Sequence, residues 1–133
     1  MSDRYVLWID DDKFFLKRSV EKLEREGVNC RFIDEIDKAL DAIRDDGGNI
    51  AGIIMDIMMD PGRSLATRDH GGGFIAGFAL YDLIRERFDM PLPSFFLTNK
   101  DMPEATYRGV GIYSKFEYRS TRLVTLVKEE FAL

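Results

Sequence analysis

The sequence predicts a doubly wound α/β domain on a five-stranded parallel sheet. Short apolar runs alternate with segments of helical periodicity, the pattern of strands joined by crossover helices. The run Ile50 to Met55 is apolar on both faces, as a strand covered by helices on each side requires. Several runs stop abruptly on Asp, Thr or Lys, and parallel sheets bind ligands beyond the carboxyl ends of their strands.

The elements follow in order. Tyr5 to Ile9 is a buried strand that ends at three aspartates. Phe15, Leu16, Ser19, Val20 and Leu23 recur at helical spacing up to Gly27, a glycine stop. Val28 to Ile33 is a second strand. Ile36, Ala39, Leu40 and Ile43 stripe a second helix over Glu35 to Asp45, ended by Gly47-Gly48. Ile50 to Met55 is the third strand. Phe74, Phe78, Tyr81, Ile84 and Phe88 mark a long amphipathic helix, which Pro91 and Pro93 break before a fourth strand at Ser94 to Leu97. Gly111 to Ser114 is a short fifth strand, and Thr121 to Phe131 is a closing helix.

Two connections are irregular. Met58 to Gly73 is a long polar segment containing Pro61, Gly62 and Gly71-Gly72-Gly73, longer than most connections in compact α/β domains. Asn99 to Gly109 is the reverse. It has room for only a turn or two of helix, with Asp101 as cap and Pro103 near its start, so the fourth helix is short or irregular.

With 133 residues, the chain suits one domain, taken as 3–133, that needs no metal or disulfide to fold. A net charge of -5 argues against non-specific binding to nucleic acid or anionic membranes, both of which require basic patches. No run is long and apolar enough to span a bilayer, and Met1 to Tyr5 does not read as a signal peptide, so the cytoplasm is the default location. Cys30 is the only cysteine, excludes an intrachain disulfide, and reads as a buried, inert thiol. Trp8 reads as core.

The chemistry sits at strand ends. Asp10, Asp11 and Asp12 follow the first strand and Asp56 follows the third, and in a parallel sheet with these strands adjacent the carboxylates face one edge. At about 4 Å, a pair of carboxylates repels by about 4 kcal/mol at an effective dielectric of about 20, which a hard cation relieves. Mg²⁺ fits: it takes oxygen ligands and keeps waters, so Asp10, Asp11, Asp56 and the main-chain carbonyl of Met58 are the candidate ligands. A carboxylate beside such an ion can attack phosphorus and become an aspartyl phosphate. Thr98 offers a hydroxyl to the phosphate oxygens and Lys115 an ammonium. Each residue alone has a plainer reading as turn, cap or surface group. Their coincidence at successive strand ends favours a site.

The same residues resemble the signature of response-regulator receiver domains. Val6-Leu7-Trp8-Ile9-Asp10-Asp11-Asp12 resembles the family's first strand and acidic pair, Ile53-Ile54-Met55-Asp56 its phosphoacceptor, and Phe95-Phe96-Leu97-Thr98 the strand ending in its switch hydroxyl. Lys115 matches its lysine, and Gly77 the glycine that opens its third helix. The resemblance implies a CheY-like, flavodoxin-like sheet of order 2-1-3-4-5. It also implies Mg²⁺-dependent transfer to Asp56 from the phosphohistidine of a histidine kinase or histidine phosphotransfer protein, and output through a downstream protein partner or an attached effector domain. The chain would be a phosphoacceptor that assists its own phosphotransfer and dephosphorylation, not a turnover enzyme.

The sequence departs from the family at four places. Phe116 replaces the usual proline after the lysine. Ile112 occupies the switch-aromatic position, with Tyr113 one place late. The fourth crossover is shortened. Pro61 to Gly73 is an insertion carrying Arg63, Arg68 and His70, which are either solvated or in reach of phosphate or a partner. Two other functions remain. Asp10-Asp11-Asp12 contains the Asp-x-Asp spacing of haloacid-dehalogenase phosphatases, but Asp56 would then be idle and no cap domain fits. A receiver-like protein-binding module without phosphorylation is the second. A dinucleotide-binding reading fails because no Gly-x-Gly-x-x-Gly follows the first strand.

Overall fold

The computed structural model describes residues 4–88, 92–102 and 104–133, with the side chains of Lys13 and Phe15 left aside. Pro91, Pro103 and the start of the domain at residue 3 therefore lie outside the described residues, and the Phe15 side chain of the first helical stripe is likewise not described.

The strands are β1 (Tyr5–Ile9), β2 (Cys30–Ile33), β3 (Ile50–Met55), β4 (Ser94–Thr98), β5 (Thr106–Tyr107) and β6 (Val110–Ser114). The helices are α1 (Lys13–Arg25), α2 (Ile36–Asp46), α3 (Ala76–Arg87) and α4 (Ser120–Glu130), with 3-10 turns at Gly47–Asn49 and Gly71–Gly73. The sheet order is β2-β1-β3-β4-β6-β5. The predicted five-stranded parallel order is present as β2-β1-β3-β4-β6, and β5 adds an antiparallel edge.

Two apolar layers hold the sheet. Residues of alternate parity on β1, β3 and β4 face opposite layers, as strand geometry dictates. Leu7, Ile9, Ile53, Met55 and Phe96 pack with α2 and α3, while Val6, Trp8, Ile54, Phe95 and Leu97 pack with α1 and α4. Every residue of β3 is buried, which explains its unbroken apolar run.

The fourth crossover takes the irregular of its two expected forms, and the strand within it was not foreseen. The described part of Asn99–Ala105 contains no helix, and the chain then folds into a hairpin. Tyr107 pairs with Val110, so Arg108 and Gly109 form a two-residue turn, both with positive φ (50° and 82°). That conformation matches the twist of the strands it joins and suits glycine at the second position. Tyr107 stacks on Phe78 of α3 at 4.1 Å and meets Phe96 edge-on, filling space beside the sheet with one ring instead of a helix.

The third helix is also shorter than its stripe suggested. Phe74 lies before α3 and is 58% exposed. The helix itself is buried around most of its circumference, from Ala76 through Leu83 and Ile84 with only Asp82 half-exposed between, because the 58–75 segment and the hairpin both pack near it.

Candidate functional site

Strand register builds the site. Ile9 pairs with Met55, and the Asp56 N–H donates to the Ile9 carbonyl at 3.0 Å, so Asp10 and Asp56 leave neighbouring strands side by side. Thr98 pairs with Ser114, and the Lys115 N–H donates to the Thr98 carbonyl at 2.9 Å. Four strand ends thus deliver Asp10, Asp56, Thr98 and Lys115 to one edge, all of them buried.

Lys115 ties the cluster together. Its Nζ lies 2.6 Å from Asp10 Oδ2, 3.2 Å from Asp56 Oδ2 and 4.0 Å from Asp12 Oδ2. The two buried carboxylates divide their oxygens alike. Asp10 Oδ1 accepts the Asp12 N–H at 2.8 Å, and Asp56 Oδ1 accepts the Ile57 N–H at 2.7 Å, leaving Oδ2 of each toward the ammonium. Thr98 Oγ1 accepts the Lys100 N–H at 3.0 Å.

The electrostatics are those of crowded carboxylates. Burial, then the charge of Asp56, pushes the Asp10 carboxyl up to about 7 against the opposing pull of Lys115. The same two causes raise Asp11. Burial lowers the Lys115 ammonium, but Asp10 and Asp56 outweigh it and the net shift is upward. One carboxylate oxygen from each of Asp10, Asp11 and Asp56 lies within 4.8 Å of the others, an arrangement able to hold a metal ion. An all-oxygen donor set with excess negative charge fits a hard divalent cation.

These groups open into a cleft of ≈ 540 Å³. Asp11, Asp56, Thr98 and Lys115 line it, with Met58 beside them. Among the wall residues that the sequence does not mark are Phe74 and Lys100. Phe74 had been assigned to a helix stripe, and nothing in the sequence marks it as outward. Lys100 follows Thr98 by two positions, and its only signal is a basic residue just past a functional strand end. Part of the rim is apolar: Met58 and Phe74, two of the large hydrophobics left exposed, both line the cleft.

Other candidates lie elsewhere. Arg68 pairs with Glu86. His70 Nδ1 accepts the Gly73 N–H at 3.1 Å, and Arg63 is exposed; none of these three side chains lines the cleft. Tyr113 is held on the α4 side, its hydroxyl 3.0 Å from Glu130 and its ring edge-on to Phe95 and Tyr118. Trp8 is fully buried, as expected of core. Cys30 is half-buried rather than buried, and burial, then Glu24, pushes its thiol up to about 12, which leaves it inert. No helix of the described residues is long and apolar enough to cross a membrane.

No protein-family model and no curated protein matches the sequence. Solved structures do match the fold. The receiver domain of Francisella response regulator 1452 is 22% identical, with 97% of each chain covered and a TM-score of 0.73. The N-terminal domain of a response regulator/sensory box/GGDEF three-domain protein from Carboxydothermus hydrogenoformans is 21% identical over 97% of this chain and 94% of its own, with a TM-score of 0.72. A bacterial protein described as a transiently phosphorylated switch in signal transduction is 21% identical over 97% and 95%, with a TM-score of 0.64. The chain therefore has the fold of receiver domains, with one extra strand.

Proposed function

We propose that the protein is a phosphorelay receiver: Asp56 accepts a phosphoryl group from a phosphohistidine and the acyl phosphate acts as a signalling switch. The observation that carries this reading is the buried Lys115 ammonium bridging Asp10 and Asp56, with Thr98 at the neighbouring strand end. A buried ion cluster is a poor source of stability, since desolvation offsets much of its attraction. Its convergence in a cleft is better explained by chemistry.

Asp10, Asp11 and Asp56, with the Met58 carbonyl, would hold Mg²⁺, which supplies charge neutralisation for phosphoryl transfer. An Asp56 carboxylate oxygen forms the new P–O bond as the donor's P–N bond breaks. The electron pair of that bond leaves with the imidazole ring, which takes up one proton. Lys115 donates to a phosphoryl oxygen from beside Asp56, and the Thr98 hydroxyl donates to another. Water later cleaves the acyl phosphate, so the chain turns over only its own phosphoryl group and is not an enzyme in the usual sense. The apolar rim around a charged cleft suits docking of a protein donor, a histidine kinase or histidine phosphotransfer protein. Output goes to a downstream protein or an attached effector domain, and the reading puts the protein in the cytoplasm.

Incubation with acetyl phosphate and Mg²⁺ tests this. One phosphoryl group should add to the intact mass, be lost to hydroxylamine, and be absent from Asp56→Asn. No mass gain would favour the receiver-like binding module instead, and the same gain in the variant would remove Asp56 as the acceptor. Catalytic hydrolysis of a phosphomonoester would favour the phosphatase.

A further inference from the structure

The 58–75 segment is fixed on its outer side. Asp37 of α2 accepts the N–H groups of Arg63 (3.0 Å) and Ser64 (2.9 Å) and the Ser64 hydroxyl, Leu65 is fully buried, and Arg68 pairs with Glu86 of α3. Its inner end, Gly72-Gly73-Phe74, forms one wall of the acidic cleft, while Thr98, Asn99 and Lys100 form another. One side chain joins the two walls. Lys100 Nζ lies 3.3 Å from the Phe74 carbonyl and 4.9 Å from the centre of the Phe74 ring, while the Lys100 N–H donates to Thr98 Oγ1.

We propose that Lys100 is a second phosphate-binding cation and that its exchange of partners carries the phosphorylation state of Asp56 to the end of the 58–75 segment. The proposal rests on the phosphoacceptor reading above. A phosphoryl group brings about two negative charges into the cleft that Lys100 lines. In the present arrangement the ammonium is held by a carbonyl dipole and a ring face, both weaker partners than a phosphoryl oxygen. Lys100 and Asp56 line the same cleft, and the flexible four-carbon lysine stem lets the ammonium change partners within it. Phosphorylation therefore draws Lys100 off Phe74, and any rotation of Thr98 toward the phosphate breaks the bond to the Lys100 N–H and assists the same change. Phe74, already exposed, is then freed at the cleft mouth, next to the rim where partners would dock.

The test uses Mg²⁺ and beryllofluoride as the phosphoryl mimic, on the full chain with 4-fluorophenylalanine at position 74, in wild type, Lys100→Met and Lys100→Arg. Binding is followed by the fluorine signal of beryllofluoride, and the segment by the fluorine signal of residue 74. In wild type, binding should shift the residue 74 signal. Lys100→Met should bind the mimic about five-fold more weakly, the size of one partly exposed charge contact. Its residue 74 signal should sit near the bound wild-type position with or without the mimic, and Lys100→Arg should restore the response. A wild-type protein that binds beryllofluoride with no change at residue 74, or a Lys100→Met protein that responds as wild type does, overturns the coupling and leaves the phosphoacceptor reading intact. Failure of wild type to bind beryllofluoride at all overturns both.

Discussion

The connections that follow β3 and β4 flank the same cleft and meet opposite problems. The first, from Asp56 to the start of α3, has more chain than the distance requires. The excess is folded onto α2 and α3 through Leu65, the Asp37 carboxylate and the Arg68–Glu86 pair. The second, from Thr98 to β6, has too little chain for a full crossover helix. It covers its side of the sheet with a hairpin and one tyrosine, and leaves an open groove of ≈ 710 Å³ lined by Met102, Ile112 and Phe116. Surplus chain has become a rigid wall and deficit chain an open surface. The four strand-end groups between them stay in register either way, because the central β1, β3, β4 and β6 ladder alone sets their positions.

If the first connection is as rigid as its contacts indicate, substitutions along it should cost more than those in the hairpin. The largest effect belongs to Gly77, where a Cβ would overlap the main-chain carbonyl of Asp56. Gly77→Ala should destabilise by about 3 kcal/mol, the upper range for overpacking, and, on the proposed function, slow phosphoryl transfer by displacing Asp56. Urea unfolding midpoints and acetyl phosphate labelling check both effects, and a wild-type midpoint would remove the close approach from the account. Leu65→Ala follows at about 2–3 kcal/mol for a fully buried leucine. A loss below that range would mean the segment is draped over the surface rather than packed. On the hairpin side, Tyr107→Phe keeps the stack on Phe78 and deletes the 2.7 Å bond from its hydroxyl to Asp82. It should cost about 1 kcal/mol. A larger cost would reverse the ranking of the two connections.

The same contrast shows what the sequence could reveal. Asp10, Asp56, Thr98 and Lys115 were legible because a parallel sheet sends every strand's carboxyl end to one edge, whatever the connections do. The long insertion and the short crossover were legible as lengths. Their structures were not. Leu65 is a single apolar residue in a polar run and gives no period. Thr106-Tyr107-Arg108-Gly109 lacks both an alternating strand pattern and the usual Asn-Gly or Asp-Gly turn pair, so its hairpin was hidden. Phe74 fell on the right spacing for the α3 stripe, yet the helix begins two residues later and the ring points to the cleft. Lys115 was expected opposite the carboxylates, and its contact with both of them depends on side-chain reach that no pattern encodes.

The smallest effect is the most specific to the outer anchor. Hydrogen bonds from the Ser64 hydroxyl and the Arg63 and Ser64 N–H groups hold the Asp37 carboxyl below its usual pKa. A carboxyl whose pKa is lower folded than unfolded leaves the unfolded state with more bound protons across that interval, so stability rises with pH there. The anchoring is complete above the ordinary carboxylate range and is lost as pH falls through the folded value. Asp37→Asn keeps the shape but removes the charge, both for these donors and for the first turn of α2. It should cost no more than about 1 kcal/mol at neutral pH, since the site is near the surface. The cost should shrink as pH falls below the ordinary carboxylate range toward the lowered folded value, where wild type loses the same charge. Chemical denaturation of both proteins from pH 7 to pH 3 reads this as two converging curves, and a gap that stays constant with pH would show that shape rather than charge holds the segment to α2.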